Sequence, residues 1–186
     1  MVLKTKRRMF TPAYLSGDRR LKSALKWPLF IILALILQTQ ISIFGYPLNF
    51  MILVVYAFVL HTARKTAKNE EFHTGEWEIK CTVFGALIGM LDDLIAGSII
   101  GPSFLSKGLA GFFSSVLFGN VFFRWTPLLG IIVIFFLTIF DGMLQVILRM
   151  IFSDTKIDMQ DVLLMILFHA LANIPFGILL KPTGNK

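Results

Sequence analysis

A single cysteine, Cys81, in 186 residues excludes an intrachain disulfide and any metal site built from several thiolates. The three histidines, His61, His73 and His169, share no spacing that would bring them onto one ion. Charge is scarce too: 16% of residues are Asp, Glu, Lys or Arg, against about 25% in an ordinary soluble domain. No Gly-rich loop ending in Lys-Ser/Thr follows a strand, so no phosphate cradle is read. No small-x-small cleavage site follows the first apolar run, which is itself long enough to span, so a secretory signal is not expected.

What the chain has instead is apolar length. Hydrophobic residues make up 56% of it, and the mean hydropathy is +0.76. A spanning helix needs about 20 apolar residues, and six stretches qualify as candidates: Trp27 to Phe44, Pro47 to Ala63, Ile79 to Ile100, Phe104 to Phe123, Pro127 to Met150 and Asp161 to Leu180. The expected fold is all-α, a polytopic membrane bundle of six transmembrane helices. It divides into a basic cytoplasmic tail (1–26), the transmembrane domain (27–181) and a short cytoplasmic tail (182–186).

The net charge of +7 does not point to nucleic acid, because eight of the 18 basic residues crowd into the first 26 positions beside an apolar run. Basic residues placed there set topology and meet anionic lipid. With the N-terminus inside, the inner segments hold fifteen Lys and Arg and the outer ones only Lys107, Arg149 and Lys156. Both termini are therefore predicted cytoplasmic.

Within the third span, Gly85, Gly89, Asp93, Gly97 and Gly101 recur at every fourth position. On a helical wheel Asp92, Gly85, Ala96, Gly89, Asp93 and Gly97 share an arc of roughly 140°. Leu87, Leu91, Leu94, Phe84, Ile88 and Ile95 lie opposite. The small and acidic arc is expected to face protein and the bulky arc lipid. Gly108, Gly111, Ser115 and Gly119 give the fourth span a matching small face. Thr138, Asp141, Gln145 and Arg149 stripe the fifth, and His169, Asn173 and Gly177 the sixth. At 1.5 Å per residue, Asp93 and Asp141 fall about 20 Å from the inner ends of their helices. Lys107, Gln38, Gln40, Asn49 and His169 map to the same outer half, making a polar layer. Lys107 is the expected partner of Asp93 or Asp92, and Gln145, Arg149 or His169 that of Asp141.

Catalytic signatures do not carry through. Asp92-Asp93 lacks the following carboxylate that would complete a magnesium cage. Asp141-Gly142 lacks the further spaced acids of a phosphotransferase motif. Ser114 and Ser115 have no nearby His. The chain is read as a non-enzyme with no cofactor and no metal.

The rhythm in "GALIGMLDDLIAGSIIG", followed by "PSFLSKGLAGFFSSVLFG", resembles the rod-shape-determining MreD family. Pro47 and Asn49 at the start of the second span and Asn173-Ile174-Pro175 in the last support the likeness, which covers roughly Leu37 to Leu180. Asp92 departs from it, standing where the family has an apolar residue. The resemblance implies a fold like the S components of energy-coupling-factor transporters. It also implies a scaffold role in cell elongation and peptidoglycan synthesis. The implied partners are MreC and, beyond it, MreB, RodA and an elongation-specific penicillin-binding protein. Two other readings compete: a vitamin-binding S component, and an ion-coupled transporter using Asp93, Asp141 and His169.

Overall fold

Proline opens two of the helices, and a threonine caps one of these. A computed structural model describes residues 14–43, 46–69, 75–97, 99–121, 126–152 and 159–180. Its helices are α1 (Tyr14–Gln40), α2 (Met51–Asn69), α3 (Glu76–Ile95), α4 (Pro102–Val116), α5 (Pro127–Phe152) and α6 (Met159–Leu179). Pro102 and Pro127 each occupy a first helical position, where a missing N–H costs nothing. Thr126 caps α5 by accepting the Leu129 N–H at 3.2 Å. A π-helical turn, Leu117–Val121, prolongs α4. Two short strands, β1 (Ser42–Ile43) and β2 (Tyr46–Pro47), pair antiparallel between α1 and α2.

The protein is thus all-helical, with a helix in each of the expected stretches. The ends differ. The helix α1 begins at Tyr14, inside the basic segment, and α2 begins at Met51, because Pro47 is held in the β ladder. The side chain of Pro47 lies outside the described residues, as do most of the loop cations behind the orientation argument, among them Lys4 to Arg8, Arg124, Lys156, Lys181 and Lys186.

The centre of the bundle is α2, which is apolar all round through its first three turns. Met51, Ile52, Val54, Val55, Tyr56 and Val59 are all fully buried, as expected of a helix enclosed by others. Around it pack two antiparallel hairpins, α3 with α4 and α5 with α6, and α1. At the far end from the β ladder, Trp27 of α1 sits edge-on to Phe58 of α2 and Phe84 of α3. Phe58 and Phe84 stack at 3.8 Å.

Two helices, α5 and α6, are long and apolar enough to cross a membrane. Only 28% and 22% of their apolar windows are buried. A soluble core helix of that composition would be mostly enclosed; these turn Leu128, Phe136, Ile147, Leu163 and Leu171 outward. Shorter apolar stretches run over Leu25–Gln40 and Met51–Ala63.

Candidate functional site

The α3–α4 hairpin is closed by backbone touching backbone. A Cβ built on Gly85 would overlap the Lys107 carbonyl, one on Gly89 the Ser103 carbonyl, and one on Gly111 the Cys81 carbonyl. These contacts step along the antiparallel pair one helical turn at a time, so the small faces read from sequence are spent on each other.

Gly97 and Gly101 do not belong to that seam. The last residue of α3 is Ile95, and the chain turns there. Gly97 has φ +60° and is exposed, and Gly101 has φ +146°, a conformation that side chains strongly disfavour. The helical reading therefore ran past the end of the helix. It also placed Ile88 toward lipid, whereas Ile88 is 1% exposed within the core beside α2.

The tight turn brings Asp93 to the beginning of α4. Its carboxylate accepts the N–H groups of Gly101 at 2.9 Å, Ser103 at 3.1 and 3.2 Å, and Phe104 at 3.2 Å. Between these stands Pro102, which has no N–H to offer. Gly101, at the cap position, has no side chain to cap with. Asp93 does this from the preceding helix, placing its negative charge at the positive end of the α4 dipole.

Lys107 is fully buried, and its ammonium bonds Asp92 at 2.8 Å and lies 3.7 Å from Asp141. Of the two acids the sequence leaves open for Lys107, Asp92 is the one it bonds. Neighbouring acids on a helix point about 100° apart, so the two carboxylates reach different partners. The extra acid Asp92 is a member of the ion cluster.

The helices α1, α5 and α6 and the segment before α2 join this layer. Gln38 of α1 donates to Asp92 at 2.8 Å. Asp141 accepts from Asn49, just before α2, at 2.8 Å, from Ser106 of α4 at 2.7 Å and from Gln145 of α5 at 2.9 Å. Asn173 of α6 donates to Thr138 at 3.2 Å and to the Asn49 carbonyl at 3.4 Å. Gln40 falls outside the layer, exposed at the end of α1. Ser106 was missed by the sequence reading. Its signal was the run Ser103, Ser106, Lys107, Ala110, Gly111, Ser114 and Ser115, a small polar face at helical spacing that is buried throughout.

Against this layer lies a cleft of about 340 Å³ whose polar wall includes Gln38, Asn49, Asp92, Gln145, Arg149 and His169. Its other wall is aliphatic, with Val146, Met165 and Ile166. The predicted residues Asn49, Asp92 and His169 meet here; Asp141 and Lys107 stand behind them.

No protein-family profile, curated protein or solved structure matches the chain.

Proposed function

We propose that this chain is a non-enzymatic integral membrane scaffold of the MreD kind. It crosses the bacterial inner membrane six times with both termini in the cytoplasm. In this role it binds MreC and, through it, joins MreB, RodA and a penicillin-binding protein in the elongation machinery. The observation that carries the reading is the use made of the Gly/Asp motif. Gly85 and Gly89 close the α3–α4 seam, and Asp93 gives its carboxylate to the amides of α4. A motif engaged in this way builds a rigid platform, as a scaffold requires.

The membrane placement rests on the distribution of polarity. Asp93, Lys107 and Asp141 are buried inside the bundle, while α1, α3, α5 and α6 present Leu29, Ile32, Leu87, Leu94, Phe136 and Leu163 outward. A carboxylate at the middle of a span costs on the order of 3 kcal/mol on insertion scales. Asp93 and Asp141 avoid that cost through internal partners.

Co-purification tests the function. The full chain should retain MreC of the same bacterium both in detergent and after transfer to nanodiscs. Failure to retain it in both settings would remove the scaffold reading.

A further inference from the structure

The cleft beside the ion layer has unmet hydrogen-bonding capacity. Gln38 commits its amide nitrogen to Asp92, and Asn49 commits its own to Asp141. These two bonds fix how each amide is turned, since a carboxylate accepts only from the nitrogen. Gln38 Oε1 and Asn49 Oδ1 are then left buried with no hydrogen-bond partner. Unsatisfied buried acceptors are uncommon and costly, about 1–3 kcal/mol each. Here two of them belong to residues that line one cleft.

The same wall carries Asp92, whose side chain is 13% exposed. Gln38, Asn49 and Asp92 together call for a ligand that brings several N–H donors to one point. The exposed Arg149 lines the same cleft, a fork of donors suited to a phosphate or carboxylate. The aliphatic wall of Met165 and Ile166 provides an apolar flank, and about 340 Å³ lies within the range of small-molecule sites.

We infer that the cleft binds a small zwitterion, a primary ammonium held by Gln38, Asn49 and Asp92 with its anionic group on Arg149. Two sources present that chemistry: the headgroup of an ethanolamine phospholipid and a free amino acid. The site requires only this fold and does not depend on the chain's having a protein partner.

The test is native mass spectrometry of the full-length protein in detergent. One arm titrates phosphatidylethanolamine, phosphatidylcholine and phosphatidylglycerol of matched acyl chains; a second titrates glycine and alanine. Phosphatidylcholine keeps the zwitterion but has no N–H donor, and phosphatidylglycerol keeps the phosphate without an ammonium. Retention of phosphatidylethanolamine about tenfold tighter than either identifies a lipid headgroup. Saturable amino-acid binding with no preference among the lipids identifies the free ligand. In both cases Arg149→Gln and Gln38→Met should each weaken binding about tenfold. Arg149 is exposed and makes no hydrogen bond to the core among the described residues, so the fold of its variant should be unaltered, as checked by thermal unfolding without ligand. Equal retention of the three lipids together with no amino-acid binding would overturn the proposal. So would undiminished binding by a folded Arg149→Gln protein.

Discussion

Replacing Asp93 separates the two roles available to a buried carboxylate, that of counter-ion and that of helix cap. Asp93→Leu removes the acceptor for the N–H groups of Gly101, Ser103 and Phe104, where no water competes to replace it. A hydrogen bond to a charged group is worth about 1.5–3 kcal/mol, and an orphaned buried donor costs about 1–3 kcal/mol. The three donors share one carboxylate, so the contributions do not add in full. Loss of the favourable charge at the start of α4 contributes up to about 2 kcal/mol more. The expected destabilisation is about 4 kcal/mol for Asp93→Leu. For Asp93→Asn, which keeps one oxygen but turns an NH₂ group toward other donors, it is about 2 kcal/mol. Against a total of roughly 5–15 kcal/mol, the first loss is a large fraction of the fold.

The assay is equilibrium unfolding in mixed micelles, read by the reactivity of Cys81, which is fully buried in the native bundle. Double-mutant cycles with Lys107→Met assign the partner. The geometry requires the Asp92–Lys107 coupling to exceed the Asp93–Lys107 coupling, because Lys107 bonds Asp92 at 2.8 Å. A larger coupling to Asp93, or an Asp93→Leu cost under about 1 kcal/mol, would refute the capping argument.

Other positions give further expectations. Gly89→Leu drives a side chain into the Ser103 carbonyl and should part α3 from α4, lowering accumulation in membranes and stability by about 3 kcal/mol; immunoblots of membrane fractions and the same unfolding assay would show it. Gly101→Ala meets open space but keeps φ at +146°, so its cost should be purely conformational, about 1–3 kcal/mol. Asp141→Leu strips the partner from Asn49, Ser106 and Gln145 and leaves Lys107 with Asp92; a loss of about 3–5 kcal/mol is expected, with Asp141→Asn milder. Equal effects of the two Asp141 variants on unfolding would contradict the part given to its charge.

The helices were legible because a long apolar run between Pro, Gly and charge admits few other structures. Pro102 and Pro127 could be read directly as helix starts. Much of the membership of the polar layer was legible too, since Gln38, Asn49, Lys107 and Asp141 map to the same half of their helices, though Gln40 falls outside it and Ser106 was not read. The pairing within the layer was not legible. A wheel resolves faces of about 100° but cannot say which of two adjacent acids faces a particular lysine. The donors that satisfy Asp93 are main-chain amides, which every residue but proline carries and no sequence pattern distinguishes. Lys107 serves Asp92 and lies near Asp141, and the α4 terminus supplies the partners of Asp93. Gly97 and Gly101 continued the four-residue rhythm past the end of α3, and only their positive φ angles show a change of task from packing to turning.

Depletion of the chain in its own bacterium measures the proposed role in cell elongation. With the gene under a titratable promoter, cell width and the pattern of new wall insertion are followed by fluorescent D-amino-acid labelling as the protein is lost. The account predicts that rods widen and round up, with dispersed insertion, and that a wild-type copy restores them while Asp93→Leu does not. Cells that remain rods of normal width after complete depletion would contradict it.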